Sequence, residues 1–121
     1  MKGFFRAILD AWSGNSPSAQ RMDVHDLHAA LQSNPDLVVV DVRTAVEYAA
    51  GHVPNAINVP LARINNAPEL AELTDQTVHL ICLSGARSGR AQGFLASNPF
   101  TTINITGGTS AWRRAGYPLV E

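Results

Sequence analysis

The single cysteine of the chain, Cys82, lies between an apolar run and a segment of small residues, in the stretch HLICLSGARSGRAQ (79–92). Four residues separate it from Arg87. If the apolar run is a strand and a helix begins near Ser88, the loop between them directs backbone N–H groups toward the sulfur. Such groups lower the pKa of a thiol. The pattern therefore predicts a thiolate nucleophile, with backbone donors and the Arg87 guanidinium available to an oxyanion.

A buried, unreactive cysteine is the competing interpretation. Free cysteine commonly packs as a small hydrophobic residue, and Cys82 ends an apolar run. Packing alone does not explain why a glycine, two small polar or apolar residues and an arginine follow within five positions. From the residues by themselves the two interpretations are about equally supported.

Strands and helices alternate along most of the chain. Apolar, β-branched runs predict strands at LVVVDV (37–42), NAINVP (55–60), TVHLICL (77–83) and TTINIT (101–106). Capping residues and periodicity predict helices in HDLHAALQ after Asp23, from Thr44 to about Ala50, in GRAQGFLAS with Ser88 as cap, and in TSAWRRA, with shorter helical pieces in LARI and PELAEL. This alternation indicates an α/β fold with a mostly parallel central sheet and helices on both faces.

Composition excludes several classes of function. The net charge of −1 is not that of a nucleic-acid-binding protein. One cysteine excludes an internal disulfide, and four scattered histidines do not form a metal site, so neither metal nor cofactor is expected. No apolar run approaches the roughly 20 residues that span a bilayer, and the N-terminus does not resemble a secretory signal. The predicted location is the cytoplasm.

The chain divides into an N-terminal amphipathic helix with a linker, residues 1–20, and a domain over 21–121. The helix is indicated by one apolar face, made of Phe5, Ile8, Leu9 and Trp12. This face can dock on the domain, support self-association with a second subunit, or lie on a membrane surface. Docking on protein is favoured, because the basic groups of the segment are few.

Three segments, in order, resemble the rhodanese family over roughly residues 20 to 119. VVVDVRTAVEYAAGHVPNAINVP is similar to the opening signature of the family, ICLSGARSGRA to its active-site strand, loop and helix, and ITGGTSAWRRAGYPL to its closing segment. The resemblance is to a single-domain rhodanese and implies a rhodanese-like sheet flanked by helices. It also implies a thiosulfate:cyanide-type sulfurtransferase that needs no cofactor.

The resemblance also implies roles for individual residues of the site. Cys82 matches the nucleophile that becomes a persulfide, taking sulfane sulfur from a small anion such as thiosulfate, or from a persulfide, and passing it to a thiol or cyanide acceptor. The cradle around it, formed mainly by backbone N–H groups, is matched by Leu83, Ser84, Gly85, Ala86 and Arg87. Related phosphatases carry a loop one residue longer, so sulfur transfer is favoured over phosphatase chemistry. Leu83 stands where many active members carry a polar or basic residue.

Three further residues are candidates for support of the loop: Asp41, Arg43 and Ser88. Asp41 and Arg43 follow a strand and should lie at the same sheet edge as Cys82. A structural ion pair, or a capping network with Glu47, is the favoured explanation for them. His52 is expected to tie down its loop and Trp112 to pack in the core or at the pocket rim. The alternative to an enzyme is a non-enzymatic rhodanese-fold binding or regulatory module.

Overall fold

The computed structural model describes residues 20–96 and 99–121. The N-terminal helix and linker predicted for residues 1–20 lie outside the described residues, except for Gln20. Among the residues described, no helix is both long and apolar enough to cross a membrane.

Five parallel strands form one sheet in the order β1-β5-β4-β2-β3. The strands are β1 (Arg21–Met22), β2 (Val38–Asp41), β3 (Ile57–Asn58), β4 (Thr77–Ile81) and β5 (Thr101–Ile105). The central strands β2 and β4 are apolar and mostly buried, as expected of strands covered on both faces. In the register Asp41 pairs with Ile81, and Leu80 with Asn104. Because the strands are parallel, their carboxyl ends meet at one edge, and Cys82 lies there directly after β4.

Helices cover both faces of the sheet, which confirms the predicted fold class. They are α1 (Val24–Ser33), α2 (Ala45–Ala49), α3 (Pro68–Ala71), α4 (Ala86–Leu95) and α5 (Gly108–Arg114), with a 3-10 turn at Leu61–Arg63. Alternate residues of each strand point to opposite faces. Leu80 therefore packs in the cluster that includes residues of α3 and α4, while Ile81 packs with Trp112 and residues of α1.

Two helix starts agree with the predicted caps. The Asp23 side chain accepts a hydrogen bond from the Asp26 N–H at 2.8 Å and begins α1. Thr44 and Glu47 form the predicted capping box at the start of α2. These local hydrogen bonds fix where the chain turns from loop into helix on either side of β2.

Two expectations differ from the structure. Strand β1 was not predicted, because two residues are too few to show a pattern; it pairs in parallel with β5 at the sheet edge. Ser88 was predicted to cap a helix, and this is wrong. Gly85 occupies the N-cap with φ +109°, so α4 begins at Ala86 and Ser88 lies buried inside its first turn.

The start of α5 lies directly against the chain that follows β4. Gly108 has φ +57°, and a Cβ there would lie 2.3 Å from the Cys82 carbonyl oxygen and 2.5 Å from that of Leu83. A residue with a side chain would not fit so close to the backbone of Cys82 and Leu83. Gly108 therefore allows α5 to approach the loop after Cys82.

We expect Gly108→Ala to lower the free energy of unfolding by about 2–4 kcal/mol, because the new methyl group collides with two carbonyl oxygens at a strained backbone position. Urea denaturation measures the change. Gly93→Ala is the matched control, since a Cβ at exposed Gly93 meets nothing within 4 Å. In the interior of α4 that substitution should raise stability by about 0.5–1 kcal/mol. Equal effects of the two substitutions would contradict the close approach.

Candidate active site

The Cys82 sulfur lies inside the turn of chain that joins β4 to α4. Its side chain is buried, with 1 % of the residue exposed. The Sγ atom accepts hydrogen bonds from the Gly85 N–H at 3.0 Å and from the Ser88 hydroxyl at 3.3 Å. Although Cys82 belongs to an apolar cluster, its sulfur therefore faces polar hydrogens rather than aliphatic groups alone.

Two hydrogen bonds from α5 set the orientation of the loop. The Thr109 N–H donates to the Cys82 carbonyl at 2.8 Å and the Ser110 N–H to the Leu83 carbonyl at 3.0 Å. In a trans peptide the N–H points opposite to the C=O, so carbonyls held toward α5 turn the following amides away from it. The peptide of the Leu83 carbonyl carries the Ser84 N–H, which is one of the donors that act on the sulfur.

The pKa of Cys82 is set by two opposing effects. Burial by itself would raise the pKa of the thiol. Hydrogen bonds from the side chain and backbone of Ser88, and from the amides of Gly85 and Ser84, outweigh burial and lower the pKa below its ordinary value. At a given pH, a larger fraction of Cys82 is therefore thiolate than of a free thiol.

Ser88 is held by Asn104, a residue that the sequence did not single out. The one hydrogen of the Ser88 hydroxyl faces two acceptors, Asn104 Oδ1 at 2.5 Å and Cys82 Sγ at 3.3 Å. Asn104 Nδ2 donates to the Gly85 carbonyl at 3.2 Å. Asn104 thus joins the loop and the first turn of α4 to strand β5. The available signal was a polar residue between isoleucines in the strand TTINIT.

The remaining cradle residues lie around the sulfur in different ways. Leu83 exposes 45 % of its surface. Ser84 and Ala86 are also exposed, while Gly85 and Arg87 are partly buried. The amides of Ser84 and Gly85 act on Cys82. A donor role for the amides of Leu83, Ala86 and Arg87 stays a prediction.

Arg87 forms an ion pair that the sequence did not predict. Its two terminal nitrogens donate to the two carboxylate oxygens of Glu47, at 2.7 and 2.9 Å. This contact, together with hydrogen bonds from Thr44, lowers the pKa of Glu47 from 4.5 to about 2 against the opposing effect of burial. The contact also raises the pKa of Arg87. The guanidinium expected as the free cation of the loop is therefore bound by a carboxylate from α2.

Asp41 and Arg43 form the structural ion pair that was favoured for them. Arg43 donates to Asp41 through Nη2 at 2.7 Å, and its side chain also donates to the Gly51 carbonyl at 2.8 Å. Their side chains are 0 % and 5 % exposed. Asn58 then donates to the carbonyls of both residues. Through Asn58 these residues are connected to β3, and through the Gly51 carbonyl to the residues that follow α2. The contacts stabilise this edge of the sheet.

His52 and Trp112 have the packing roles expected of them. The His52 ring lies 3.6 Å from the Tyr48 ring, and its Nδ1 is 2.8 Å from the Tyr48 carbonyl. Trp112 is 1 % exposed and donates to the Pro118 carbonyl at 2.7 Å.

A thiolate candidate at the carboxyl edge of a parallel sheet, inside a loop held by two helix starts, fits one family closely. The family model described as Rhodanese-like domain matches residues 23–115. The chain belongs to the rhodanese family. The resemblance found in the sequence motifs is thereby confirmed.

Individual rhodanese relatives agree with this assignment. A protein of Allochromatium vinosum named sulfurtransferase is 34% identical over 104 residues, which are 82% of this chain and 92% of that protein. A thiosulfate:glutathione sulfurtransferase of Saccharomyces cerevisiae is 29% identical, over 87% of this chain and 89% of its own length. The crystal structure of a rhodanese-related protein from Thermoplasma volcanium has a TM-score of 0.74 and 29% identity, covering 84% of this chain and 97% of that one.

We expect Ser88→Ala to move the pH profile of Cys82 alkylation to higher pH. The substitution removes a hydrogen bond that favours the thiolate, so the pKa of the thiol should rise and the rate at neutral pH should fall. Timed reaction with iodoacetamide at a series of pH values measures the profile, and Cys82 is the only thiol that can react. Ser84→Ala is the control, because Ser84 acts on the sulfur through its backbone. If Ser88→Ala and the wild type show the same pH dependence of alkylation, the Ser88 hydroxyl does not favour the thiolate.

Asp41→Asn is expected to lower the free energy of unfolding by about 3–5 kcal/mol, since it leaves the buried Arg43 guanidinium without a countercharge. Chemical denaturation at neutral pH measures this loss. The same change at the exposed pair of Arg63 and Glu69, Glu69→Gln, should leave stability nearly unchanged. If both substitutions have equally small effects, the Asp41–Arg43 pair does not brace the edge.

Proposed function

We propose that this rhodanese-family chain is a sulfurtransferase that carries sulfane sulfur on Cys82 as a persulfide. The observation that carries the proposal is the set of polar hydrogens around Sγ, from the Gly85 amide at 3.0 Å and the Ser88 hydroxyl at 3.3 Å. These donors favour a negatively charged sulfur in a place that is otherwise apolar. A persulfide is also an anion, so the same donors suit both resting states of a carrier.

The transfer needs no oxidant or reductant beyond the donor and acceptor. In loading from thiosulfate, the Cys82 thiolate attacks the outer sulfur and a new S–S bond forms. The former S–S bond breaks, and its electron pair leaves with sulfite. In discharge, an acceptor thiolate or cyanide attacks the terminal sulfur and Cys82 leaves as thiolate. The lowered pKa raises the fraction of Cys82 that is thiolate, which favours loading without a general base.

The names of the relatives support a sulfur donor and a thiol acceptor as the substrate classes. The Saccharomyces cerevisiae relative is named for thiosulfate and glutathione, and these two are the first donor and acceptor to test on this chain. Cyanide is the alternative acceptor. A cytoplasmic location and self-association through the N-terminal helix are further proposals, which come from the sequence.

Access to the sulfur is part of the proposal. Since 1 % of Cys82 is exposed, a donor reaches Sγ only when the loop opens or the side chain turns outward. This burial is also the observation that favours the alternative function, a rhodanese-fold binding module whose cysteine does not react. A phosphatase is disfavoured by the loop length and by the carboxylate that occupies the Arg87 fork.

We predict that incubation with thiosulfate adds one sulfur atom to the chain, and that Cys82→Ser abolishes the addition. Intact-mass spectrometry under non-reducing conditions measures it, and later addition of glutathione or cyanide should remove the extra mass. Sulfate, which has no transferable sulfur, is the control and should leave the mass unchanged. If neither thiosulfate nor glutathione persulfide loads a folded wild-type chain, the binding module becomes the better assignment.

A further inference from the structure

We propose that Glu47 is a specificity-determining residue, which occupies the guanidinium of Arg87 and so biases the Cys82 site against doubly charged inorganic donors and toward organic sulfur donors of lower charge. The inference rests on the proposed sulfurtransferase function and names the substrate class of that same site. It is carried by the geometry of the ion pair, by the balance of charge around the sulfur, and by the exposed apolar residue that follows the cysteine.

The ion pair uses the part of Arg87 that would otherwise bind an anion. Both terminal nitrogens donate to Glu47, one to each carboxylate oxygen, at 2.7 and 2.9 Å. This two-point contact is the geometry in which arginine recognises carboxylate, phosphate or a similar oxyanion. An incoming thiosulfate must therefore compete with Glu47 for the same pair of donors.

Glu47 is itself held in place from the other side. One of its oxygens accepts hydrogen bonds from the Thr44 N–H at 3.0 Å and the Thr44 hydroxyl at 3.1 Å. The carboxylate thus does not depend on Arg87 alone for its position, and displacing it from Arg87 leaves it beside the site. Its pKa of about 2 keeps it charged at any pH where the protein would work.

The charges around the sulfur sum to a negative value. The Cys82 thiolate and Glu47 each contribute −1, and Arg87 contributes +1. Asp41 and Arg43 form a buried ion pair of zero net charge. A dianion approaching the thiolate therefore meets a net repulsion that an uncharged donor does not meet, and a monoanion meets about half of it.

One exposed apolar residue directly follows the cysteine. Leu83 exposes 45 % of its surface. Exposed aliphatic groups offer contact area to the organic part of a donor and nothing to inorganic thiosulfate. Charge and apolar surface therefore favour the same class, organic persulfides and thiosulfonates.

Two probes separate the classes while the bond chemistry stays the same. Thiosulfate carries two negative charges and releases sulfite; benzenethiosulfonate carries one and releases benzenesulfinate. In both, the Cys82 thiolate attacks the terminal sulfur, and the electron pair of the broken S–S bond leaves with the oxidised sulfur. The second-order rate of Cys82 persulfide formation, followed by mass, is measured with each probe.

The decisive variant is Glu47→Gln. Glutamine keeps the capping box at the start of α2, so the fold should be retained. The substitution frees the Arg87 charge, and we expect the ratio of the thiosulfate rate to the benzenethiosulfonate rate to rise about fivefold to tenfold. The double variant Glu47→Gln, Arg87→Gln should bring the ratio back toward that of the wild type. Glu69→Gln is the matched control, because it removes the same charge from the exposed pair with Arg63 and should leave the ratio unchanged.

Salt dependence of the wild type gives a second readout that needs no variant. If the site repels a dianion, added salt screens the repulsion and the thiosulfate rate should rise or stay level. In Glu47→Gln the charges of the thiolate and Arg87 cancel, so the same rate should rise less with salt than in the wild type, or not change at all. The inference is overturned if the wild-type thiosulfate rate falls with salt. It is also overturned if both donors load the protein and Glu47→Gln leaves the ratio of their rates unchanged. Neither outcome contradicts the proposed sulfurtransferase function. Failure of both probes to load the wild type would instead overturn the proposed function beneath it.

Discussion

Two backbone hydrogen bonds, from the amides of Thr109 and Ser110 to the carbonyls of Cys82 and Leu83, are the constraint on which the site depends. A loop after a strand has carbonyls and amides in equal number, and only the amides stabilise a thiolate. By binding two carbonyls, the start of α5 turns them away from the sulfur and leaves the Ser84 amide to act on it. The close approach exists because Gly108 has no side chain. Gly108, distant in sequence, therefore helps to orient the loop that holds the cysteine.

Features set by neighbours in the chain could be predicted from the sequence. The Asp23 cap, the Thr44–Glu47 capping box and the buried strands β2, β4 and β5 depend on residues within one turn or one strand of each other. The alternation of these elements was enough for the parallel α/β fold. The position of Cys82 after β4 then followed, because parallel strands end at one edge.

Features that depend on distant pairs could not be predicted in the same way. Arg87 and Glu47 are 40 residues apart, and either charge alone is compatible with a solvent-exposed role. Asn104 meets Ser88 only because β5 lies beside β4 in the sheet. Ser88 was misassigned as a cap because a glycine in the left-handed region can begin a helix without a capping side chain. In each case the information lies in the packing of elements and not in the local pattern.

Glu47 closes the first turn of α2 and at the same time binds the first turn of α4 through Arg87. One carboxylate thereby joins two helix starts that are otherwise separated by β3 and β4 in the chain. Opening of the loop around Cys82 that moves Arg87 must strain or release the cap of α2, so the two turns belong to one cooperative unit of local unfolding. Amide hydrogens in both turns should then exchange with solvent at related rates, and a molecule that seals the cysteine loop would slow exchange at the far helix as well.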